Sequence, residues 1–245
     1  MTKSISIIVI SHSHERYLDK LLLSLYKNLE TYTFEIFLVH NCKSNYQVKI
    51  NNTSQFKVIE VFNPAIKSLS QNLNKTLQKT KAQYTLIINP DTYLPSLNIK
   101  KNLEFLIKNS HDLVSCPSIH PNGKLLVNLR KFPNPFQLLS DRLFSSNKRY
   151  LEQKNIANSQ SKKNFWFQGS YLLGTKKIFN KVRFQEKYFL YFEDVQFCYD
   201  SWIKGFSLGY NHNTQYFHYF QQNSARYLKY KLYHIRSYLL YFFSF

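Results

Sequence analysis

Tyr84-Thr85-Leu86-Ile87-Ile88-Asn89-Pro90-Asp91 is the stretch that decides the fold. It is an apolar run with high strand propensity, and it ends in an Asn-Pro turn followed by one carboxylate. This pattern predicts a fully buried parallel strand. Ligands of open α/β sheets bind beyond the carboxyl ends of the strands, where Asp91 falls. A turn Asp commonly bonds only its own backbone, so this stretch alone leaves a structural role open beside a metal or substrate role.

Strand-like and helix-like segments alternate on both sides of this stretch. The β-branched run at 4–11 predicts a strand covered on both faces, and leucines at helical spacing follow it. Strands are also predicted at 34–39 and 56–62, and helices at 68–81 and 96–109. Such alternation predicts right-handed βαβ units and a mostly parallel sheet, which is an α/β fold.

The composition predicts a folded, strongly basic protein. The 245 residues are 44% hydrophobic, and 33 Lys and Arg against 14 Asp and Glu give a net charge of +19. Such a length and apolar content allow a full core, and the charge favours anionic partners such as nucleic acid, nucleotide phosphates or an anionic membrane surface. No apolar window approaches the roughly 20 residues of a membrane-spanning helix, and no cleavable leader is predicted. Any membrane contact is therefore expected to be peripheral.

The three cysteines, Cys42, Cys116 and Cys198, are far apart in sequence and form no C-x-x-C pair. This spacing argues against zinc or redox chemistry and predicts reduced, mostly buried thiols in a cytoplasmic protein. His12 and His14 lie two residues apart after the first strand. Since no third ligand or carboxylate neighbours them, a separate metal site there is not expected.

The second half of the chain contains one further informative run, 188–198, which includes Phe192-Glu193-Asp194. Adjacent carboxylates at the end of an aromatic run need a cation, hydrogen bonds or a proton if they are buried. They could instead cap a helix predicted at 195–204, and capping is compatible with catalysis. Before this run, the segment 133–164 has few apolar anchors, which predicts a mobile surface segment or lid.

Taken in order, these pieces resemble the family 2 inverting glycosyltransferases of the GT-A fold, in their bacterial rhamnosyltransferase-like branch. No single piece is specific, but the ordered set is, and it covers nearly the whole length. The pieces are the strand 5–11, Val39-His40-Asn41 with Ser44, Asn63, Asn72, Asn89-Pro90-Asp91, Gly169, Phe192-Glu193-Asp194 and His218. The resemblance implies an α/β fold with a Rossmann-like, mostly parallel central sheet flanked by helices, a C-terminal acceptor-side region and an amphipathic tail helix.

The resemblance also implies a division of the chain. Residues 1–220 would form the GT-A domain, with a half that binds the nucleotide sugar at 1–117. The acceptor and catalytic half would be 118–220, including the mobile segment. Residues 221–245 would form a basic, aromatic C-terminal helix.

By the same resemblance, Asp91 and His218 would bind a divalent cation that stabilises charge on the leaving phosphate. A mixed carboxylate and imidazole set suits Mn²⁺ better than Mg²⁺. Asp194 would be the general base for the acceptor hydroxyl, and Glu193 would orient that base or hold an acceptor hydroxyl. The acceptor side would include Trp166 and Gly169, where a glycine lets backbone approach the sugar. A lone histidine between aromatics, as at position 218, is otherwise more often structural.

The nucleotide of the donor would lie over the ends of the first strands. The residues implied for it are Ser11, His40, Asn41, Asn63, Asn72 and Asn89. The chain departs from the family pattern at four positions, and these leave room for a weakened enzyme. His40 and Gln196 stand where many relatives carry Asp, Ala65 replaces a common Gly, and Gln185 replaces the usual Asp before Glu186.

The implied reaction moves a sugar from a nucleoside diphosphate sugar to a lipopolysaccharide, lipooligosaccharide or capsule glycan acceptor, with inversion. The tail 226–243 mixes basic and aromatic residues, as interfacial helices do. The alternative is a helix that packs on the domain or on a second copy of the chain. A lipid-linked acceptor favours membrane contact, at the inner face of the cytoplasmic membrane.

Two other classes remain as alternatives. A nucleic-acid-binding protein would explain the charge, but no recognisable motif supports it and it leaves Asp91, Glu193, Asp194 and His218 without a role. A catalytically weak family member acting as a scaffold would explain His40 and Gln196. The sequence determines neither the sugar, nucleotide and linkage nor the oligomeric state.

Overall fold

The computed structural model describes residues 3–29, 32–133, 153, 165–220 and 227–243. The described strands are β1 Lys3–Ser11, β2 Tyr32–His40, β3 Phe56–Phe62, β4 Tyr84–Ile88, β5 Thr92–Tyr93, β6 Leu113–Ser115, β7 Ser118–Ile119, β8 Leu125–Leu126, β9 Leu129–Lys131, β10 Phe165–Phe167, β11 Tyr171–Thr175, β12 Leu208–Tyr210 and β13 Tyr216–His218. The described helices are α1 Glu15–Tyr26, α2 Leu69–Leu77, α3 Asn98–Lys108, α4 Lys176–Lys181, α5 Glu193–Ile203 and α6 Leu228–Phe242.

A seven-stranded sheet in the order β12-β6-β11-β4-β1-β2-β3 forms the centre of the molecule. Strands β4, β1, β2 and β3 pair in parallel, and β12 pairs in parallel with β6. Strand β11 is the exception, because it lies antiparallel between β4 and β6. Its first residue, Tyr171, therefore pairs with Ile88, the last residue of β4. This register brings the turn before β11 to the carboxyl edge of the parallel strands.

Both faces of the sheet are covered, which explains why its strands are continuously apolar. Successive residues of β1 enter different cores: Ile7 packs with α1 and α3, and Ile8 packs with α2, α4 and α5. The predicted helices exist but end differently: 68–81 is observed as Leu69–Leu77, and 96–109 as Asn98–Lys108.

The helix predicted at 195–204 begins two residues earlier, at Glu193. Glu193 and Asp194 therefore form its first turn, where carboxylates interact favourably with the helix dipole. The predicted mobile segment 133–164 lies outside the described residues, apart from Pro133 and Gln153. Gln153 is buried, and its Oε1 accepts hydrogen bonds from the backbone N–H groups of Asn128 and Leu129. None of the described helices has the length and apolarity needed to cross a bilayer.

The central position of β4 predicts a large effect of truncating its core side chain. Leu86 is fully buried, so Leu86→Ala should lower the free energy of unfolding by about 2–5 kcal/mol, because the cavity cannot fully collapse. Leu23→Ala on α1 is the matched control, since Leu23 is 48% exposed, and it should change stability by less than about 1 kcal/mol. Urea unfolding of both variants checks this, and similar losses in the two would contradict a core role for β4.

Candidate active site

Asp91 and His218 meet at the carboxyl edge of the sheet because two short strands pair there. β13 runs antiparallel to β5 with His218 opposite Thr92, and Tyr219 donates its backbone N–H to the Asp91 carbonyl at 3.0 Å. This pairing places His218 Nε2 3.3 Å from Asp91 Oδ1, with both side chains buried. Burial alone would raise the pKa of Asp91, but the hydrogen bond and charge of His218 outweigh it, and the pKa is lowered. The carboxylate is thus kept ionised.

The pair fits part of a metal site rather than a complete one. Within the described residues, no group of three or more His, Cys, Asp or Glu side chains is arranged to hold a metal ion. The Nδ1 atom of His218 is buried and has no hydrogen-bond partner there. One carboxylate oxygen and one imidazole nitrogen suit a cation such as Mn²⁺, provided that a phosphate-bearing ligand supplies further oxygens.

His14 lies close to the same carboxylate. Its Nδ1 accepts a hydrogen bond from the His12 backbone N–H at 3.0 Å, so the neutral ring carries its proton on Nε2. Burial lowers the pKa of His14, and the charge of Asp91 partly offsets this. The expectation that no carboxylate neighbours His12 and His14 is therefore wrong, since Glu15 directly follows His14 and the charge of Asp91 also acts on its ring. The sequence spacing could not have revealed the electrostatic interaction with Asp91, because it joins the β1–α1 turn to the β4–β5 turn.

A strained turn comes directly before Glu193 and Asp194, the second pair of predicted site residues. Tyr191 and Phe192 both adopt left-handed backbone conformations, with φ of 69° and 66°. A residue other than glycine in this region is disfavoured by about 1–2 kcal/mol, so packing of the surrounding structure must hold the turn. α5 begins directly after it, and Glu193 and Asp194 are its first two residues.

Gly169 fixes the orientation of Asp194. Its backbone N–H donates to Asp194 Oδ2 at 2.9 Å, and Val195 N–H donates to Oδ1 at the same distance. A Cβ atom at Gly169 would lie 3.3 Å from Asp194 Cβ, which is tight. A glycine therefore suits this close approach of the β10–β11 turn to α5. The predicted approach of Gly169 to a sugar stays a prediction.

Burial raises the pKa values of both carboxyl groups of this pair. It raises the pKa of Glu193 to about 8, helped by the charge of Asp194. Burial also raises the pKa of Asp194, although the N–H groups of Gly169 and Val195 and the charge of Arg130 oppose the shift. Both carboxyl groups line a largely aliphatic cavity with Asn89 and Gly169. A raised pKa makes an ionised carboxylate a stronger proton acceptor, which suits a general base.

His40 lies at the end of β2, where relatives often carry Asp. Its Nε2 is 2.9 Å from Glu60 Oε1, and its ring stacks on Phe62 at 4.6 Å. Ser11 pairs with His40 in register across β1 and β2. Through His40, the carboxylate of Glu60 on β3 lies near the end of β2. The sequence alone did not indicate this pair.

The predicted asparagines form a hydrogen-bonded network. Asn41 Oδ1 accepts from Asn63 Nδ2, Asn72 Nδ2 and the Lys67 backbone N–H, at 3.0, 2.9 and 3.0 Å. Asn41 Nδ2 donates to the Lys67 carbonyl. The network ties the loop 63–68 to the ends of β2 and α2. Contacts of Asn41, Asn63 and Asn72 with a nucleotide stay predictions.

Trp166, a predicted acceptor-side residue, packs against the cluster that contains Phe192 and Val195, on either side of Glu193 and Asp194. It belongs to β10, its Nε1 donates to the Lys131 carbonyl at 3.0 Å, and its ring is 5.6 Å from the guanidinium carbon of Arg130. Arg130 also acts electrostatically on Asp194. Arg130 is therefore a residue of this region that sequence reasoning missed.

Two departures from the family pattern converge on one carboxylate. Gln196 Nε2 donates to Asp200 Oδ1 at 2.8 Å, and Gln185 Nε2 donates to Asp200 Oδ2 at 3.1 Å. Tyr188 in turn donates its hydroxyl to Gln196 Oε1. An Asp at either glutamine position would place a like charge beside Asp200. The two substitutions are thus mutually consistent and support the segment before α5.

Buried polar atoms without partners concentrate at this edge. Eight such side-chain atoms occur in the described part of the chain, and five belong to the sites above. These are Ser11 Oγ, His12 Nδ1, His40 Nδ1, Glu193 Oε2 and His218 Nδ1. Buried polar groups normally have partners, so a cluster of exceptions indicates a place that a polar ligand completes.

Known proteins match this chain in both sequence and fold. The model of the family described as Glycosyl transferase family 2 matches residues 6–192. Rhamnosyltransferase WbbL of Escherichia coli (strain K12) is 23% identical over 214 residues, which cover 83% of this chain and 79% of that protein.

Solved structures share the fold at low sequence identity. S. aureus TarS 1-349 superposes with a TM-score of 0.60 at 15% identity, over 88% of this chain and 60% of that one. The same protein in complex with UDP-GlcNAc superposes with a TM-score of 0.58 at 15% identity, over 87% of this chain and 58% of that one. Mannosyltransferase PcManGT from Pyrobaculum calidifontis, in complex with GDP-Man and Mn2+, superposes with a TM-score of 0.59 at 10% identity. The superposition covers 89% of this chain and 57% of that one. The chain thus spans 60% or less of these structures' lengths.

These matches confirm the expected α/β fold of the GT-A type. The family model extends over more than half of the chain and includes most of strand β1, the Asp91 turn and Gly169. The chain therefore belongs to glycosyl transferase family 2.

Proposed function

We propose that this chain is an inverting hexosyl- or rhamnosyltransferase that uses a nucleoside diphosphate sugar. The acceptor would be a lipopolysaccharide, lipooligosaccharide or capsule glycan. The observation that carries the proposal is the set of buried polar atoms without partners at the carboxyl edge of the sheet, which includes His218 Nδ1 beside Asp91 and Glu193 Oε2 beside Asp194. The names of the relatives support it, since one is a rhamnosyltransferase and two solved structures contain UDP-GlcNAc or GDP-Man.

The donor would lie across the carboxyl ends of β1, β2 and β4. Ser11 and His40 would face the nucleoside, since both carry buried polar atoms that lack partners in the described structure. The asparagine network would support that edge, and Asn89 would face the sugar from the cavity. His14 would donate its Nε2 proton to the diphosphate, and the first amides of α1 would add to this attraction.

Asp91 and His218 would hold a divalent cation together with the diphosphate, Mn²⁺ in preference to Mg²⁺. Such a cation, when bound, neutralises charge that develops on the leaving phosphate. The ionised state of Asp91 is the property of this chain that supports the assignment.

The transfer would be a single displacement. Asp194 accepts the proton of the acceptor hydroxyl, and that oxygen bonds to the anomeric carbon as the bond to the diphosphate breaks on the opposite face. The N–H groups of Gly169 and Val195 hold the base in place. Glu193 would orient Asp194 or hold an acceptor hydroxyl, and Trp166 would face the acceptor.

The proposed location is the cytoplasm, at the inner face of the cytoplasmic membrane. A lipid-linked glycan is presented there, and the net charge of +19 favours association with anionic lipid headgroups.

The metal and donor roles predict that Asp91→Ala abolishes metal-dependent donor binding. In a panel of UDP-, GDP- and dTDP-sugars, one donor should raise the Tm of the wild type with Mn²⁺ and fail to do so without it. A ligand at 100 times its Kd stabilises by about 2.7 kcal/mol, so the shift is measurable. Asp91→Ala should lose it, and Asp112→Ala, at the opposite edge of the sheet before β6, should keep it. Binding of RNA but of no donor would overturn the assignments of Asp91, Asp194 and His218.

The base role predicts that Asp194→Asn lowers kcat by about 10²–10⁴, because the amide cannot accept the acceptor proton. The variant should keep its fold and its donor binding. Asp112→Asn carries the same chemical change at the opposite edge and should retain full turnover. Product formation under single-turnover conditions measures the effect. If Asp194→Asn keeps the turnover of the wild type and still binds the wild type's partners, the chain would instead be a catalytically weak scaffold.

The pKa of Glu193 predicts how stability depends on pH. Because burial raises this pKa from 4.5 to about 8, the folded protein binds more protons than the unfolded chain between these values. Stability therefore falls as the pH rises through this window. Glu193→Gln cannot titrate, so its free energy of unfolding should fall less from pH 4.5 to 8. Urea unfolding across this range checks the slope, with Glu104→Gln, an exposed change on α3, as the control. Equal slopes in wild type and Glu193→Gln would contradict the buried, protonated state.

A further inference from the structure

Helix α6 has an inner face that packs on the turn before the catalytic pair. Ser237 donates its hydroxyl to the Leu190 carbonyl at 2.8 Å. The buried ring of Tyr241 lies 5.5 Å from the ring of Phe192, and the ring of Tyr233 lies 4.9 Å from that of Phe189. The inner face therefore contacts the strained backbone that presents Glu193 and Asp194.

The opposite face of α6 is apolar and exposed. Its side chains recur at spacings of three and four residues and are 37% to 85% exposed. They form what is here called the outer stripe: Leu228, Leu232, Ile235 and Leu239 of α6, and Phe243 directly after its last residue. An α-helix turns about 100° per residue, so this stripe is centred roughly opposite Ser237 and Tyr241. Monomeric soluble proteins rarely leave such a contiguous apolar surface uncovered.

The charges on α6 flank this stripe on both sides. At about 100° per residue, Lys229 and Arg236 lie on one flank and Lys231 on the other. All three residues are exposed, and residues 221–245 contain no Asp or Glu. Apolar side chains bordered by cations are the pattern of a helix that lies in the plane of a membrane interface.

We propose that the outer stripe and its flanking cations dock on an anionic lipid surface. Charge complementarity favours lipid over a second copy of this chain. A symmetric pairing of two stripes would bring the cations of both helices together, and no acidic residue of α6 could compensate them.

Docking at the outer face restrains the turn on the inner face, because the same helix forms both. Any ligand that binds only the ordered state of this turn stabilises that state by mass action. Anionic lipid therefore orders the segment 188–194 and with it the carboxyl groups of α5. The consequence for transfer rests on the proposed function, but docking and ordering do not.

Binding to lipid vesicles tests the docking surface. The full chain is mixed with sedimenting vesicles of phosphatidylcholine alone or in an equal mixture with phosphatidylglycerol. The wild type should bind the anionic vesicles, and Leu232→Gln with Leu239→Gln should weaken binding at least about tenfold. The matched apolar control is Leu23→Gln with Ile107→Gln, exposed residues of α1 and α3, and it should bind as the wild type does.

A second comparison separates docking from general charge attraction. Lys229→Ala, Lys231→Ala and Arg236→Ala together remove three charges from α6, and Lys101→Ala, Lys108→Ala and Lys177→Ala remove three from α3 and α4. Only the first set should lose binding by about tenfold or more. Equal losses in both sets would overturn the proposal, as would no binding by the wild type. A dimer in solution that only the outer-stripe variants dissociate would assign the stripe to a second copy instead.

Amide hydrogen exchange tests the ordering without any sugar donor. Anionic vesicles should slow exchange across 188–194 in the wild type and leave it unchanged in the variant with Leu232→Gln and Leu239→Gln. Vesicle binding without slower exchange would overturn the ordering and leave the docking intact. Both measurements are independent of turnover, so a failure of the proposed transferase activity would show separately in the Asp194→Asn comparison.

Discussion

Two neighbouring carboxyl groups are buried at the start of α5, and the hydrogen bonds and packing around them hold them in place. A buried carboxylate must be hydrogen-bonded, paired with a cation or protonated. Asp194 receives two backbone N–H groups, one from Gly169 and one from Val195, whereas Glu193 has an oxygen without a partner among the described residues. The turn at Tyr191 and Phe192 is strained, and packing of α6 against it provides support. Placement of the pair therefore depends on β11 on one side and on α6 on the other.

The site separates two carboxylate environments by moving their pKa values in opposite directions. The hydrogen bond and charge of His218 overcome burial and keep the pKa of Asp91 low, so Asp91 suits a cation. Glu193 and Asp194 lie in an aliphatic cavity that raises their pKa values, so they suit proton transfer. Divergent environments for similar groups are a common way for enzymes to assign acid, base and electrostatic roles. The fold achieves this by using β4 for one carboxylate and α5 for the other.

The residues that depart from the expected family pattern bond to carboxylates of this chain. Gln185 and Gln196 both donate to Asp200, and an aspartate in place of either glutamine would be repelled by that carboxylate. His40 pairs with Glu60 of the adjacent strand, so a carboxylate still lies near the end of β2. Each departing residue is thus accommodated by a hydrogen bond to a neighbouring carboxylate.

The sequence by itself determined the elements whose cause is local. The β-branched and apolar runs predicted β1 to β4, leucine spacing predicted α1, and the order of motifs predicted the GT-A fold. It placed the helix boundaries less well, because α5 begins at Glu193 once the left-handed turn before it is formed.

Only the tertiary structure decided which distant groups meet. The electrostatic interaction of His14 with Asp91 joins segments far apart in sequence. So do the contacts of Gly169 with Asp194 and of α6 with the 188–192 turn. The antiparallel insertion of β11 was likewise undetectable from its composition. Such contacts depend on strand register and packing, and neither leaves a periodic pattern in one sequence.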